Sequence, residues 1–381
     1  MKKIIFLFVI IILLVIFSSN DKSLKEKEEV KAVFFSYIEL SKYVKNSNQE
    51  ISKSNIRKII KKIKDYNLNT IILQVRVSSD SIYNSKLFPT SMYIVEKEGE
   101  DYYDVLDYFI KESHKNKLKL YAWINPYRVR TTNDINSISK NNPAYKYIGT
   151  DTLYINNSIY YNPSKKEVEN LIIDGVKEVL DYDIDGLLFD DYFYPDNSID
   201  IEDYKEYIKN NKNITVEEYH LKVINSMVKK VYKECKDKNI YFGISPEGNI
   251  ENNYNKNYAD VKRWMSESNY IDFIMPQIYY GFYNGSRNYI DTIKEWESLN
   301  KNVDLMIALA FYKIGTIDNY AKEGKNEWVD SKDIIMREVL LARNLKKYKG
   351  FSIFRYDSIF DKDNYQGNTK IEKDNLKRVI K

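Results

Sequence analysis

The sequence predicts a (β/α)8 (TIM) barrel. Three observations carry that expectation. Short apolar runs bounded by turn residues recur about eight times, amphipathic stretches separate them, and acids, amides, arginines and aromatics collect where the runs end. The expected strands are 32–40, 70–77, 119–126, 186–192, 241–246, 273–280, 305–312 and 350–356. Each is apolar nearly throughout, as strands covered on both faces are. Ile56, Ile59, Ile60 and Ile63 share one helical face after the first run, and Val105, Leu106, Phe109 and Ile110 share another after the second. The spacing also predicts helices over 167–180, 216–235, 258–265, 289–299 and 334–345. An open doubly wound sheet is the rival, and it would show a glycine-rich phosphate turn after its first strand; none is present. The polar stretch 131–159 reads as a long loop or subdomain after the third strand.

Before the barrel, Lys2 and Lys3 precede an unbroken apolar run over 4–17. As a helix it would reach only ~21 Å, short of the ~30 Å hydrocarbon core. Residues 1–20 are therefore expected to be a signal peptide or an N-terminal membrane anchor, 21–30 a polar spacer, and 31–381 the barrel. The chain would then be secreted or held at the outer face of the cytoplasmic membrane. No cysteine follows the apolar run, which excludes a lipoprotein anchor.

Composition narrows the function classes. The 381 residues carry 59 basic and 55 acidic side chains, a balance that argues against a nucleic-acid surface. The lone Cys235 excludes an internal disulfide and is expected to pack inside a helix. His114 and His220 are too few and too distant for a metal site, so no metal or other cofactor is expected, and each reads as a helix-surface residue. The 35 tyrosines suit sugar stacking, but an AT-rich genome also encodes them, so only those beside other candidates count.

The decisive stretch is Asp185-Gly186-Leu187-Leu188-Phe189-Asp190-Asp191-Tyr192-Phe193-Tyr194-Pro195. An apolar run leaves an Asp-Gly turn and stops on two adjacent carboxylates, which are costly to bury unless they cap backbone groups or serve a site. In a barrel of this kind the active site gathers at the C-terminal strand ends. Those ends bear Glu39, Arg76, Trp123, Asn125, Tyr127 and Arg128, then Asp190 and Asp191, Glu247 and Asn249, Gln277 and Tyr279, and Arg355 and Asp357. Such a lining suits a hydroxyl-rich ligand, with Arg76, Trp123, Asn125, Tyr127, Arg128, Tyr192, Asn249, Gln277 and Tyr279 as substrate-binding candidates. Glycoside hydrolysis needs two carboxyl groups flanking one bond. Strand alternation turns Asp190 and Asp191 to opposite faces, so one of them meets the substrate directly. The expected mechanism makes Asp190 nucleophile or base and Glu247 acid, with Asp191 as the alternative acid and Asp357 a weaker candidate.

Several segments, in order, resemble one family: Gln74-Val75-Arg76, Ala122-Trp123-Ile124-Asn125-Pro126-Tyr127-Arg128, Phe189-Asp190-Asp191-Tyr192-Phe193-Tyr194-Pro195, Gly243-Ile244-Ser245-Pro246 and Pro276-Gln277-Ile278-Tyr279. Over roughly 31–360 the chain resembles the glycosyl-hydrolase-like family 10 proteins. The resemblance implies a bacterial envelope-associated barrel that hydrolyses a polysaccharide, and some relatives are implicated in cleaving peptidoglycan glycan strands. Several relatives carry a non-acidic residue where this chain has Glu247, which strengthens Asp191 as the acid. Conversely, Asp185-Gly186-x-x-x-Asp190 is similar in spacing to the fourth-strand motif of the α-amylase family, whose acid lies at the fifth strand, where Glu247 stands. A non-catalytic glycan-binding or envelope scaffold protein on the same fold is the alternative. A deacetylase would want histidine metal ligands that the sequence does not supply.

Overall fold

A computed structural model describes residues 28–190 and 193–381. The expected leader, most of the spacer, and Asp191 and Tyr192 lie outside the described residues. Eight parallel strands close into a barrel in sequential order: β1 Val30–Phe35, β2 Thr70–Arg76, β3 Lys119–Ile124, β4 Gly186–Phe189, β5 Tyr241–Ile244, β6 Phe273–Ile274, β7 Asp304–Leu309 and β8 Tyr348–Ile353. β1 pairs with β8, Val30 opposite Gly350, to complete the ring. Every expected strand is present, and each stops between one and six residues before the expected end. The apolar pattern runs on beyond the last ladder hydrogen bonds because the loops at that end are themselves buried. After β1, for example, Ser36 caps a helical turn over Tyr37–Glu39 where a strand was expected.

Helices cover the outside: α1 Gln49–Asp65, α2 Val105–Lys115, α3 Lys166–Leu180, α4 Val216–Asp237, α5 Val261–Ser266, α6 Tyr289–Leu299, α7 Ile334–Ala342 and α8 Thr369–Val379. Ile56, Ile59, Ile60 and Ile63 of α1, and Val105, Leu106, Phe109 and Ile110 of α2, are buried as their spacing requires. The helix α8 has no counterpart in the sequence reading because few of its residues are apolar. A carboxylate docks it instead: Glu372 accepts from the backbone N–H groups of Ile334 and Ile335 at the start of α7, at 3.0 and 2.7 Å. The stretch 131–159 contributes to a small antiparallel sheet of Arg128–Arg130, Leu153–Ile155 and Ile159–Tyr161. Among the described residues no helix is long and apolar enough to cross a membrane.

Period-two alternation divides the core into two layers. Outward residues of the strands, such as Leu187 and Phe189, join the helices in the larger cluster. Inward residues, among them Phe34, Ile72, Tyr121, Trp123, Leu188, Phe273, Met275 and Met306, fill the barrel interior. Gly186 faces inward on β4, and a Cβ there would lie 2.8 Å from the Tyr121 ring. The glycine of the Asp-Gly turn thus makes room for an interior aromatic. Asp185, just before it, accepts from Leu120 N–H at 2.8 Å and meets His114 Nε2 at 2.9 Å, anchoring the start of β4 at the opposite end from the site.

His114 is half-buried on its helix, but His220 is fully buried, contrary to the sequence reading. Its partner is remote in sequence. His220 Nε2 lies 2.7 Å from Asp200 Oδ1, and Asp200 Oδ2 accepts the Tyr194 hydroxyl at 2.7 Å and the Ser164 hydroxyl. The Tyr194 and His220 rings pack with centroids 4.5 Å apart, and Phe193 meets Trp264 edge-on at 5.8 Å. These contacts pin the chain just after Asp190. Cys235 is buried in α4, as expected.

Candidate active site

The alternation that sends Leu188 inward sends Asp190 inward as well, one turn of pleat higher, onto the floor of a cavity of ≈ 290 Å³ at the C-terminal strand ends. Asp190 is 3% exposed. Trp123 Nε1 donates to its Oδ2 at 3.1 Å, and the Asn125 amide nitrogen donates to the same oxygen. Behind Asn125 the polar chain continues. Gln74 Nε2 donates to Asn125 Oδ1, and Gln74 Oε1 accepts from the Tyr37 backbone N–H at 2.9 Å. A backbone N–H can only donate, so it fixes the Gln74 oxygen, which fixes its nitrogen toward Asn125, which fixes the Asn125 nitrogen toward Asp190. Tyr37 follows β1, Gln74 lies two residues before the end of β2 and Asn125 follows β3, so four neighbouring strand ends are linked in one polarity.

Aromatic walls rise around this carboxylate. Phe34 meets Trp123 edge-on at 5.3 Å and Phe354 at 5.5 Å, and Tyr37 and Tyr279 complete the rim. Polar groups between them are Ser36, Ser245, Gln277, Arg128 and Arg355. Gln277 Nε2 donates to Ser245 O at 3.0 Å, whereas the buried Ser245 Oγ has no partner among the described residues. Among the described residues, Asp190 is the single carboxylate in the lining.

Of the sequence candidates, Asp190, Trp123, Asn125, Arg128, Gln277 and Tyr279 are brought together here. Arg76, Tyr127, Asn249 and Glu247 are not among the lining residues, and Asp191 and Tyr192 lie outside the described residues. Arg76 corrects a simple parity argument. Period two would put Gln74 and Arg76 on the same face, but the register against β3 shifts between them, with Gln74 opposite Trp123 and Arg76 opposite Ile124. The bulge turns Arg76 outward, where its guanidinium lies 4.0 Å from the Phe88 ring centroid, beneath α3. Tyr127 is buried in the outer core. Asn249 caps the short helix Ile250–Asn255 through Glu251 and Asn252 N–H. Glu247, two residues past Ser245 and half-buried, accepts from Asn252 Nδ2 at 2.6 Å.

The sequence reading missed Gln74 in favour of its neighbour Arg76, and it placed Glu39 and Arg355 at the mouth without assigning either a binding or catalytic role. Glu39 is fully buried beside the cavity. Its carboxylate accepts from Ser36 N–H at 2.9 Å, the Ser36 hydroxyl at 2.5 Å, Arg355 Nη1 at 3.1 Å and Asp357 N–H at 3.2 Å. Arg355 Nη2 also pairs with Asp357 Oδ2 at 2.9 Å. This clasp ties the end of β1 to the end of β8 and holds a guanidinium against the cavity. Burial pushes the Glu39 carboxyl up to about 7, against the pull of Arg355.

With the geometry described, comparison with known proteins identifies the lineage. A family model described as glycosyl hydrolase-like 10 matches residues 29–330. The chain belongs to this family. It is 32% identical over 326 residues to the glycosyl hydrolase YngK of Bacillus subtilis, covering 78% of this chain and 62% of that protein. It is 31% identical over 280 residues to the glycosyl hydrolase DigH of Escherichia coli, covering 65% of this chain and 63% of that one. The chain thus spans less than two thirds of the length of either relative. In fold it is similar to the PgaB (BpsB) glycoside hydrolase domain of Bordetella bronchiseptica (TM-score 0.53, 10% identity, 92% of this chain and 99% of that one). It is also similar to α-L-fucosidase isoenzyme 2 of Paenibacillus thiaminolyticus (TM-score 0.56, 11% identity, 93% and 49%).

Two predictions follow from this geometry. Gln74→Leu, which breaks the amide chain while keeping its bulk, is expected to weaken carbohydrate binding by about 1–3 kcal/mol, whereas Arg76→Met leaves that affinity within about twofold. Calorimetric titration checks both, and equal effects at the two positions would contradict the bulge assignment. The second concerns pH. The folded state holds the Glu39 proton more tightly than the unfolded chain, whose carboxyl titrates near 4.5, so this group's contribution is fully present below 4.5 and is lost as pH rises to about 7. Glu372, also raised to about 7 by burial, acts in the same direction. Urea unfolding is expected to show stability falling across that window in the wild type and falling less steeply in Glu39→Gln, which keeps the shares of Glu372 and of the buried carboxyls of Glu338 and Asp80, also pushed up by burial. An unchanged slope in the variant would refute the assignment.

Proposed function

We propose that this protein is a glycoside hydrolase that cleaves glycosidic bonds in a polysaccharide, with peptidoglycan glycan strands as its substrate. The observation that carries the reading is the Asp190 carboxylate, presented into an aromatic-walled, hydroxyl-binding cavity by two neutral donors of fixed orientation. Membership of a glycosyl hydrolase-like family supports it, and so do relatives named as glycosyl hydrolases. The apolar run over 4–17 supports work outside the cytoplasm, secreted or at the outer face of the membrane.

In this mechanism the sugar ring stacks on the cavity aromatics while amides and arginines take its hydroxyls. Asp190 accepts from both Trp123 and Asn125, a disposition that suits attack at the anomeric carbon or removal of a proton from water. Trp123 and Asn125 hold one carboxylate oxygen in place from two sides. A second carboxyl group protonates the leaving oxygen. Glu247, at the end of the adjacent strand, is assigned that role, and it must exchange its bond to Asn252 for one to the substrate. Asp191 is the alternative, favoured by the absence of Glu247 from the cavity lining.

The test is hydrolysis of purified glycan strands. Asp190→Asn is expected to lower kcat by about 10²–10⁴-fold with binding retained. Of Glu247→Gln and Asp191→Asn, the variant at the true acid removes the basic limb of the pH–rate profile. A wild-type protein that binds strands and cleaves none would instead be a glycan-binding or envelope scaffold protein.

A further inference from the structure

Arg355 does not belong to one cavity alone. A second cavity, of ≈ 250 Å³, is comparable in size to the first. Arg355 lines both. Its guanidinium is held by Glu39 through Nη1 and by Asp357 through Nη2. The second cavity is walled by hydrogen-bonding side chains, Asp357, Ser358, Asn364, Gln366 and Thr369 among them. Asn364 Nδ2 donates to Asp357 Oδ2 at 3.1 Å, so the carboxylate that fixes Arg355 also fixes an amide of this wall.

One aromatic ring joins the two cavities. Tyr312 lines the second and is 43% exposed. It meets Tyr279 and Phe354, both lining the first, edge-on with centroids 5.9 Å apart in each case. Tyr312 is thus the outward end of an aromatic wall that begins beside Asp190. An exposed ring with amides, hydroxyls and a carboxylate around it is the chemistry that takes a pyranose: the ring stacks on the apolar sugar face, and the polar groups take the hydroxyls.

We propose that this second cavity is a saccharide subsite, and that a polysaccharide chain runs from Asp190 across Arg355 to Tyr312. The inference rests on the glycosidase reading above and adds to it a direction for the bound chain. The Glu39–Arg355–Asp357 clasp is then the sill between two sugar positions, and its rigidity sets their spacing.

The test uses full-length protein carrying Asp190→Asn, titrated calorimetrically with purified peptidoglycan glycan strands fractionated by length. Affinity is expected to rise about tenfold once strands are long enough to reach from Asp190 to Tyr312, as one added stacked and hydrogen-bonded ring would give. Tyr312→Ala and, independently, Gln366→Ala in the same background are expected to remove that rise. A rise that persists in both variants, or an affinity independent of length, overturns the subsite even if the wild-type protein cleaves the strands. If the wild type neither cleaves nor binds strands, the glycosidase reading falls and this inference falls with it.

Discussion

The hydrogen bonds from Trp123 and Asn125 to one oxygen of Asp190 are the contact on which the site depends. A carboxylate that is 3% exposed is costly unless donors surround it, and here the donors are themselves oriented from behind. The orientation originates at the backbone N–H of Tyr37 and passes through Gln74 and Asn125. Each link comes from a different strand end, so the barrel's parallel register is what brings them into line. Removing one amide would free the next to flip, and Asp190 would lose a donor without any change in its own strand.

The rest of the barrel serves that alignment. Gly186 lets Tyr121 fill the interior below Asp190, which sets the height at which the carboxylate emerges. Phe193 against Trp264, and Tyr194 against the His220–Asp200 pair, hold the chain that leaves it. Across the cavity, Glu39 joins the first strand to the last through Ser36, Arg355 and Asp357. The seam where the first and last strands meet is therefore closed by buried ionisable groups beside the site, and not by ladder hydrogen bonds alone. That arrangement makes Arg355 a fixed wall in place of a mobile surface cation.

Much of this was legible in the sequence because barrels obey two periodicities. Apolar runs gave the eight strands, and alternation set Asp190 and Asp191 on opposite faces; in the structure Asp190 follows the inward Leu188 in phase and lines the cavity. The failures have local physical causes. A bulge exchanged the roles of Gln74 and Arg76, and nothing in Gln-Val-Arg announces a bulge. Glu247 follows an inward Ser245 in phase, but past the strand end its side chain finds Asn252 of the next helical turn. His220 reads as one polar residue in a helix until Asp200, twenty positions earlier, is folded beneath it. Glu39 and Arg355 are more than three hundred residues apart, and only closure of the ring makes them neighbours.

The central claim is that Asp190, held by Trp123 and Asn125, faces the bond to be cleaved. A crystal structure of the Asp190→Asn protein with a bound glycan strand tests it most directly. The account predicts a glycosidic bond seated between residue 190 and a second carboxyl group, with the two carboxyl positions about 5–5.5 Å apart for a retaining enzyme or about 6.5–9.5 Å for an inverting one. A strand bound with its glycosidic bonds remote from residue 190, or with no second carboxyl group within that range, would contradict it.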